Sequence, residues 1–202
     1  MYVPKYFKPD NSEEVKAFIR ANNFGILVSE HNNRPWATHI PFMLNQSGTH
    51  LTTHISRGNQ QWKSFSEKDV MAIFQGPHAY VSSSWYDHEN VPTWNYMAAH
   101  VYGKTRIIEG DELRQALREL VDHHEAGSAR PVSLDSMTPS YVDREIKAIV
   151  GLQIEITEIQ AAYKLSQNRD SKNHQNIIDE LERQGYPGAV DVAAEMKKRS
   201  RE

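Results

Sequence analysis

The sequence predicts a mainly β fold, a small closed β-barrel of antiparallel strands with flanking helices. Short strand-like segments separated by turn residues fill most of the chain from Gly25 to Ser166. Helical periodicity is confined to the N-terminal segment, a segment after residue 110 and the tail. Because strands and helices do not alternate regularly, a parallel βαβ sheet is not favoured.

The first predicted element is a helix that begins after Asn11. Glu14 completes a capping box with Asn11, and Val15, Phe18 and Ile19 recur at helical spacing. Predicted strands follow at residues 25–30, 36–44, 50–55, 70–74, 78–81, 97–109, 149–156 and 161–166.

Turn residues and two further helices complete the predicted order. Asn32 and Asn33 lie in one turn, and Gly76-Pro77 is predicted to separate two strands. Residues 111–125 form an amphipathic helix, whereas residues 128–140 are loop-like. The tail, residues 173–202, is predicted to be helical with a break at 185–188.

Composition excludes several classes of protein. The chain has 202 residues, a net charge of −3 and no cysteine. It is long enough for one generous domain or two very small ones. The absence of cysteine excludes a disulfide scaffold, a cysteine-ligated zinc finger and an iron–sulfur cluster. The slight acidity argues against a chain-wide grip on nucleic acid. With no apolar stretch near 20 residues and no apolar signal segment, we expect a cytoplasmic protein without a membrane span.

Motif searches predict neither a metal site nor a catalytic residue. The ten histidines include no HExxH pattern, and the adjacent pair His123-His124 points about 100° apart on a helix. The Ser82-Ser83-Ser84 run lacks the elbow of serine hydrolases. Phosphate loops and dinucleotide fingerprints are also absent from the sequence.

Two polar corners stand out at predicted strand ends. Ser56, Arg57 and Asn59 surround a glycine and can form a phosphate cradle, or simply a solvated turn. Lys164 and Ser166 end the last strand, and alone they are also consistent with an ordinary charged strand terminus. The sequence leaves both readings open.

Aromatic residues concentrate between residues 80 and 102, including Tyr80, Trp85, Tyr86, Trp94 and Tyr96. Such side chains suit an interface or a planar ligand, although they can equally cap the barrel core.

Several ordered motifs together resemble one family. GPHAYVSSSWY, VPTWNY, HISRGN and KLSQNR, with MYVPKYF and ATHIPF, resemble the PaiB family of FMN-binding negative transcriptional regulators. The resemblance covers residues 1–169 and continues more weakly into the tail. It implies a six-stranded antiparallel FMN-binding split barrel over residues 1–169, similar to pyridoxamine-phosphate oxidases. Residues 170–202 would then form a C-terminal helical hairpin packed on the barrel.

The resemblance also implies a cofactor and its site. It implies a homodimer that binds FMN at the subunit interface, with the phosphate near Ser56, Arg57, Asn59, Lys164 and Ser166. The implied neighbours of the flavin ring are Thr38, His39, Ile40, His54, Trp94 and Asn95. The chain departs from the family pattern at three positions: Ser56 stands where Ala is frequent, and Ser83 and Gln60 stand where Pro is frequent. Ser83 relaxes a turn that Pro would make rigid.

The function implied by this family is negative regulation of protease synthesis and sporulation. The alternative is a flavin-dependent oxidoreductase or flavin reductase using bound FMN, and a third class is a flavin-holding or haem-handling protein. For DNA, the tail offers two short helices that resemble a helix-turn-helix unit. Acidic residues in the same segment, such as Asp179, Glu180 and Asp191, favour a docked structural hairpin instead.

Overall fold

A computed structural model of the chain describes residues 1–65 and 69–199. The strands are Phe24–His31 (β1), Arg34–Pro41 (β2), Met43–Leu44 (β3), His50–Ser56 (β4), Val70–Val81 (β5), Thr93–Ile108 (β6) and Ile149–Lys164 (β7). The α-helices are Ser12–Ala21 (α1), Gly110–Glu125 (α2), Pro139–Lys147 (α3), Ser171–Gln184 (α4) and Pro187–Lys197 (α5). Short 3₁₀ helices lie at Lys5–Phe7, Gln60–Ser64, Ser83–Trp85 and Leu134–Ser136.

The seven strands form one sheet in the order β2-β1-β5-β6-β7-β4-β3. The β1–β2 hairpin is antiparallel from Phe24↔Pro41 to His31↔Arg34, and β4 pairs with β7 in the same sense. Asn32 and Asn33 have positive φ angles of 51° and 59°, as a tight hairpin turn requires. The mainly β prediction is confirmed, but the sheet has seven strands instead of six and is not closed, since β2 and β3 lie at its edges.

The chain divides into two compact units. The first comprises Met1–Phe18, Gln75–His100 and Gln160–Glu202, and the second comprises Ile19–Phe74 and Val101–Ile159. Fully buried apolar side chains of the first unit include Ala79, Val81, Leu165, Ile177, Ile178 and Leu181. Those of the second include Leu27, Phe42, Leu51, Phe74, Leu152 and Ile154.

The tail forms the two predicted helices, α4 and α5, within the first unit. Asp170 caps α4 by accepting from the Asn173 N–H, and Gly185, with φ 69°, ends it in the left-handed conformation. Residues 200–202 lie outside the described part of the chain. The division into domains at residue 169 stays a prediction.

Three segments differ from the sequence prediction. The expected turn at Gly76-Pro77 is wrong, because β5 runs unbroken through both residues. Residues 149–166 contain one long strand, β7, where two were expected. Helix α3 was missed inside the segment read as loop; Pro139 occupies its first turn, where the missing N–H costs nothing.

The described residues contain neither a membrane-spanning helix nor a metal-binding cluster. In residues 1–65 and 69–199 no helix is long and apolar enough to span a bilayer. In the same ranges, no three His, Asp or Glu side chains lie close enough together to hold a metal ion.

Candidate functional site

A buried polar network in the second unit contains two of the predicted site residues, Thr38 and Asn59. The Thr38 hydroxyl donates to Gln61 Oε1 at 2.6 Å and accepts from Asn59 Nδ2 at 2.9 Å. Asn59 also caps the 3₁₀ helix, since its Oδ1 accepts from the Gln61 N–H at 3.0 Å. The structure thus joins β2 to the segment that follows β4 through side chains.

Gln61 is the centre of this network and is fully buried. Its Nε2 donates to the carbonyls of Leu27 and Trp36, at 3.3 and 3.2 Å, and to Ser29 Oγ at 3.0 Å. Carbonyl oxygens can only accept, so the amide nitrogen must face them and the amide oxygen must face Thr38.

This orientation determines what the Thr38 hydroxyl can offer. Its proton is used by Gln61 and one lone pair by Asn59, which leaves one lone pair of the oxygen. A ligand group that meets Thr38 must therefore donate a hydrogen bond to it.

Arg57 and Ser56 form a second arrangement in the same unit. Arg57 Nε donates to the Lys147 carbonyl and Nη2 to the Ile149 carbonyl, both at 2.9 Å. The Ser56 hydroxyl accepts from the Gly58 N–H at 3.3 Å. In the described part of the chain no carboxylate pairs with Arg57, so two neutral carbonyls hold the guanidinium without neutralising it.

The remaining predicted residues of the second unit lie on β2 and β4. His39 is exposed and its neighbour Ile40 is buried. His54 lies opposite Gly151 of β7 and is half-buried beneath α2, where burial lowers the pKa of its imidazole. A small cavity of about 10 Å³ remains beside it.

A larger recess in the second unit was not predicted. It has a volume of about 320 Å³ and is lined by Trp62, Lys63, Phe65, Thr105, Arg106, Ile107 and Leu152. Trp62 connects it to the Arg57 corner by donating from Nε1 to the Arg57 carbonyl at 3.2 Å.

The first unit holds the other predicted residues around the end of β7. Ser166 Oγ donates to Asn95 Oδ1 at 3.1 Å, and both side chains are buried. Ser166 has a φ of 60°, which a side chain adopts at a cost, and this hydrogen bond compensates part of it. Lys164 Nζ donates to Thr93 Oγ1, and burial, followed by the charge of Arg169, lowers the pKa of Lys164.

Trp94 lies on the surface of the first unit, about half exposed. Its ring packs edge-on against Tyr80, with centroids 5.9 Å apart, and lies 6.2 Å from the ring of His78. Trp94 and Tyr80 therefore lie at the surface of the first unit and do not cap a core.

Only some of the predicted site residues contact one another within their unit. Thr38 is hydrogen-bonded to Asn59, and Ser166 to Asn95. Sequence reasoning missed Gln61, whose neighbour Gln60 has the same side chain on an exposed position. No signal in the sequence separates these two glutamines.

Comparisons with known proteins add the following similarities. Residues 1–158 match the family model described as "Putative FMN-binding domain". The chain is 45% identical over 200 residues to "Protease synthase and sporulation protein PAI 2" of Bacillus subtilis, covering 98% of this chain and 97% of that protein.

Solved structures with a similar fold include two proteins of low sequence identity. The flavocytochrome Anf3 from Azotobacter vinelandii aligns with a TM-score of 0.61 at 20% identity, over 80% of this chain and 72% of that one. The FAD and heme binding protein from Mycobacterium smegmatis aligns with a TM-score of 0.58 at 17% identity, over 78% and 73%. At these identities the likeness concerns the fold alone.

Proposed function

The chain belongs to the PaiB-type family of FMN-binding domains, and from this premise we propose that it is an FMN-binding negative regulator of protease synthesis and sporulation. Its cofactor is FMN. The observation that carries the proposal is the 45% identity to PAI 2 over nearly the whole of both chains.

The residues present fit the cofactor. Arg57 in the second unit and Lys164 in the first are cations that no carboxylate neutralises in the described part of the chain. A phosphate group is a dianion, and such cations are its usual protein partners. We assign Arg57, Ser56 and Asn59 to a phosphate-binding corner, and Lys164 and Ser166 to the corresponding corner of the first unit.

The polar network around Thr38 supports the binding of a planar heterocycle. Thr38 presents an acceptor on one face of β2, and His39 is exposed on the other, since successive side chains of a strand point to opposite faces. Trp94 offers an exposed aromatic surface in the first unit, whereas the neighbouring Asn95 is buried and accepts from Ser166 Oγ. Bound FMN would supply redox chemistry, whereas these residues bind and orient it.

The first experiment is a visible absorption spectrum of the purified protein after FMN addition and gel filtration. We expect a retained flavin spectrum, and we expect Arg57→Ala and Lys164→Ala each to weaken FMN binding. The loss of one charge-assisted contact is about 1.5–3 kcal/mol, which is roughly 10- to 150-fold in Kd. Arg130→Ala, an exposed loop position, and Lys104→Ala, an exposed strand position, are the controls. Unchanged affinity in both site variants would contradict the assignment.

We further propose a homodimer, on the basis of the family and of the exposed Trp94 and Tyr80 rings. Analytical ultracentrifugation at working concentration tests it, and a monomer would overturn it. An interface that uses these rings also predicts that Trp94→Ser weakens self-association, with Trp36→Ser, another exposed tryptophan, as the control.

The tail does not offer a basic surface for DNA in its described part. Lys197 pairs with Glu182 at 2.5 Å, and Lys198 with Glu195 at 2.6 Å. We therefore infer that regulation acts through flavin binding or a protein partner. A salt-dependent gel shift on promoter DNA tests this: a shift at low salt that disappears with added salt would contradict it. Bleaching of the bound flavin by NADPH or NADH would instead favour the oxidoreductase alternative.

A further inference from the structure

The end of β7 in the first unit carries two cations with no counter-ion. Lys164 and Arg169 are half-buried, and in the described part of the chain neither forms an ion pair with a carboxylate. Their charges lie close enough for Arg169 to lower the pKa of Lys164, in addition to the effect of burial. By contrast, the nearby Lys172 is paired with Asp87 at 2.8 Å. Two like charges partly removed from water form a place where an anion is stabilised.

Two buried donors beside Arg169 also lack partners within the part of the chain that the structure describes. Asn90 Oδ1 accepts from the Val91 N–H at 2.9 Å and from Arg169 Nη2 at 3.4 Å, so the amide nitrogen is the end left over. That Nδ2 atom is buried and has no partner among residues 1–65 and 69–199. The hydroxyl of Tyr86, a buried residue, has none there either, and the Arg169 guanidinium lies over the Tyr86 ring at 5.1 Å. Since buried polar groups are nearly always hydrogen-bonded, both donors require an acceptor.

The backbone that carries these groups is well held. Ser166 is fixed to Asn95 of β6 by its side chain, and the Arg169 N–H donates to the Ser166 carbonyl at 3.0 Å. Lys164 is held by Thr93 at the start of β6. The cations are therefore in place before any ligand arrives, which lowers the entropy lost on binding.

The acidic residues nearby are engaged elsewhere. Asp87 accepts from Lys172, Asn173 and His88, and Asp170 caps helix α4. Their carboxylates are directed to these partners, and no ion pair joins them to Lys164 or Arg169 within the described residues.

We propose that Lys164, Arg169, Asn90 and Tyr86 form a binding site for a phosphate monoester. Two cations match the dianion, and the two unpartnered donors match its oxygen atoms. The phosphate can come from FMN, in which case the inference rests on the proposed function, or from a separate phosphorylated compound, in which case it does not.

The experiment measures the affinities of inorganic phosphate, FMN and riboflavin by calorimetric titration of the full chain. In Arg169→Gln we expect phosphate affinity to fall about tenfold, as for one lost charge-assisted contact. Lys164→Met is a second variant with the same expectation, and circular dichroism checks that both fold. The control is Arg144→Gln, because Arg144 also lies over a tyrosine ring, that of Tyr141, at 5.0 Å.

The ligands separate the two sources. If the preference for FMN over riboflavin falls with phosphate affinity, the site holds the flavin phosphate. If only inorganic phosphate binding falls while the FMN preference is unchanged, the site takes a separate phosphorylated ligand. If the wild type binds phosphate but not FMN, the proposed function fails and the anion site stands. Unchanged phosphate binding and unchanged FMN preference in both folded variants would overturn the proposal.

Discussion

Gln61 makes four side-chain hydrogen bonds from a fully buried position, and its replacement by leucine removes all of them. The carbonyls of Leu27 and Trp36 then lose their side-chain donor, and the Thr38 hydroxyl loses its acceptor. Asn59 can still donate to the Thr38 hydroxyl, but Gln61 no longer holds that hydroxyl in one orientation. The perturbation therefore affects both the sheet and the candidate site.

The magnitude follows from these contacts. The Gln61 amide nitrogen has two N–H protons for its three acceptors, so with the bond accepted from Thr38 the loss corresponds to three full hydrogen bonds, about 3 kcal/mol at about 1 kcal/mol each. The buried leucine side chain offsets about 1–2 kcal/mol of this through the removal of apolar surface from water. We expect a net loss of about 1–2 kcal/mol in the free energy of unfolding, compared with the 5–15 kcal/mol that is roughly typical of a domain.

Urea unfolding followed by tryptophan fluorescence measures this loss. Gln115→Leu is the matched control, because Gln115 is exposed on α2 and bonds only within that helix. We expect the control to change stability by less than about 0.5 kcal/mol. If Gln61→Leu unfolds at the same urea concentration as the control, the buried network does not stabilise the protein and the reasoning is refuted.

A second variant tests the orientation of the amide. In Gln61→Glu one carboxylate oxygen would face the carbonyls of Leu27 and Trp36, where a negative charge is repelled and burial disfavours it. The folded-state pKa of this carboxyl would be raised, so the variant should lose stability as the pH rises from about 4 to about 7, relative to Gln61→Leu. A variant whose stability rose over that range would show that the amide nitrogen does not face those carbonyls.

Two further predictions use the same unfolding assay. Gly103→Ala places a methyl group against the backbone carbonyl oxygen of Glu155 and 2.7 Å from Ile154 Cγ2, and should cost at least about 1–3 kcal/mol. Gly127→Ala, with open space around the added atom, should not destabilise, and equal stabilities would contradict this. Burial lowers the pKa of His54, so the unfolded state binds the proton more readily and stability should fall as the pH drops below about 6.5. His54→Gln should flatten this slope, and an unchanged slope would assign the pH dependence to other groups.

The strands were predictable where the turn chemistry was simple. Asn32 and Asn33 supply the positive φ angles of the β1–β2 turn, and the sequence shows this directly. The turn predicted at Gly76 is wrong because glycine occurs both in turns and in strands at points of close approach. Here it is a strand residue at a close approach, since an added Cβ would lie 2.5 Å from Phe18 Cε2. Pro77 lies beyond the pairing of β5 with β1, which ends at Ile73, so its missing N–H removes no hydrogen bond to β1.

The sequence shows which residue types could bind a phosphate, but not which hydrogen-bond partners each of them has in the folded chain. Cations at strand ends are consistent with a phosphate corner or with a solvated turn in the sequence, and the structure keeps both Arg57 and Lys164 without a counter-ion in its described part. What the sequence does not contain is which polar groups are left without partners. The set of unpartnered groups depends on contacts between distant segments. For example, the Asn90 amide oxygen accepts from the Val91 N–H and from Arg169 Nη2, which leaves the amide nitrogen.

Gln60 and Gln61 illustrate the physical limit of sequence reasoning. The two side chains are identical and adjacent, yet one is exposed and the other is fully buried. Burial of Gln61 is tolerable only because the Leu27 and Trp36 carbonyls and the Thr38 hydroxyl meet its amide on every side. Those groups come from two strands far away in the chain, so their arrival is a property of the folded sheet. The network that sets the hydrogen-bonding polarity of Thr38 is thus invisible in the sequence, even where the sequence identifies Thr38 itself.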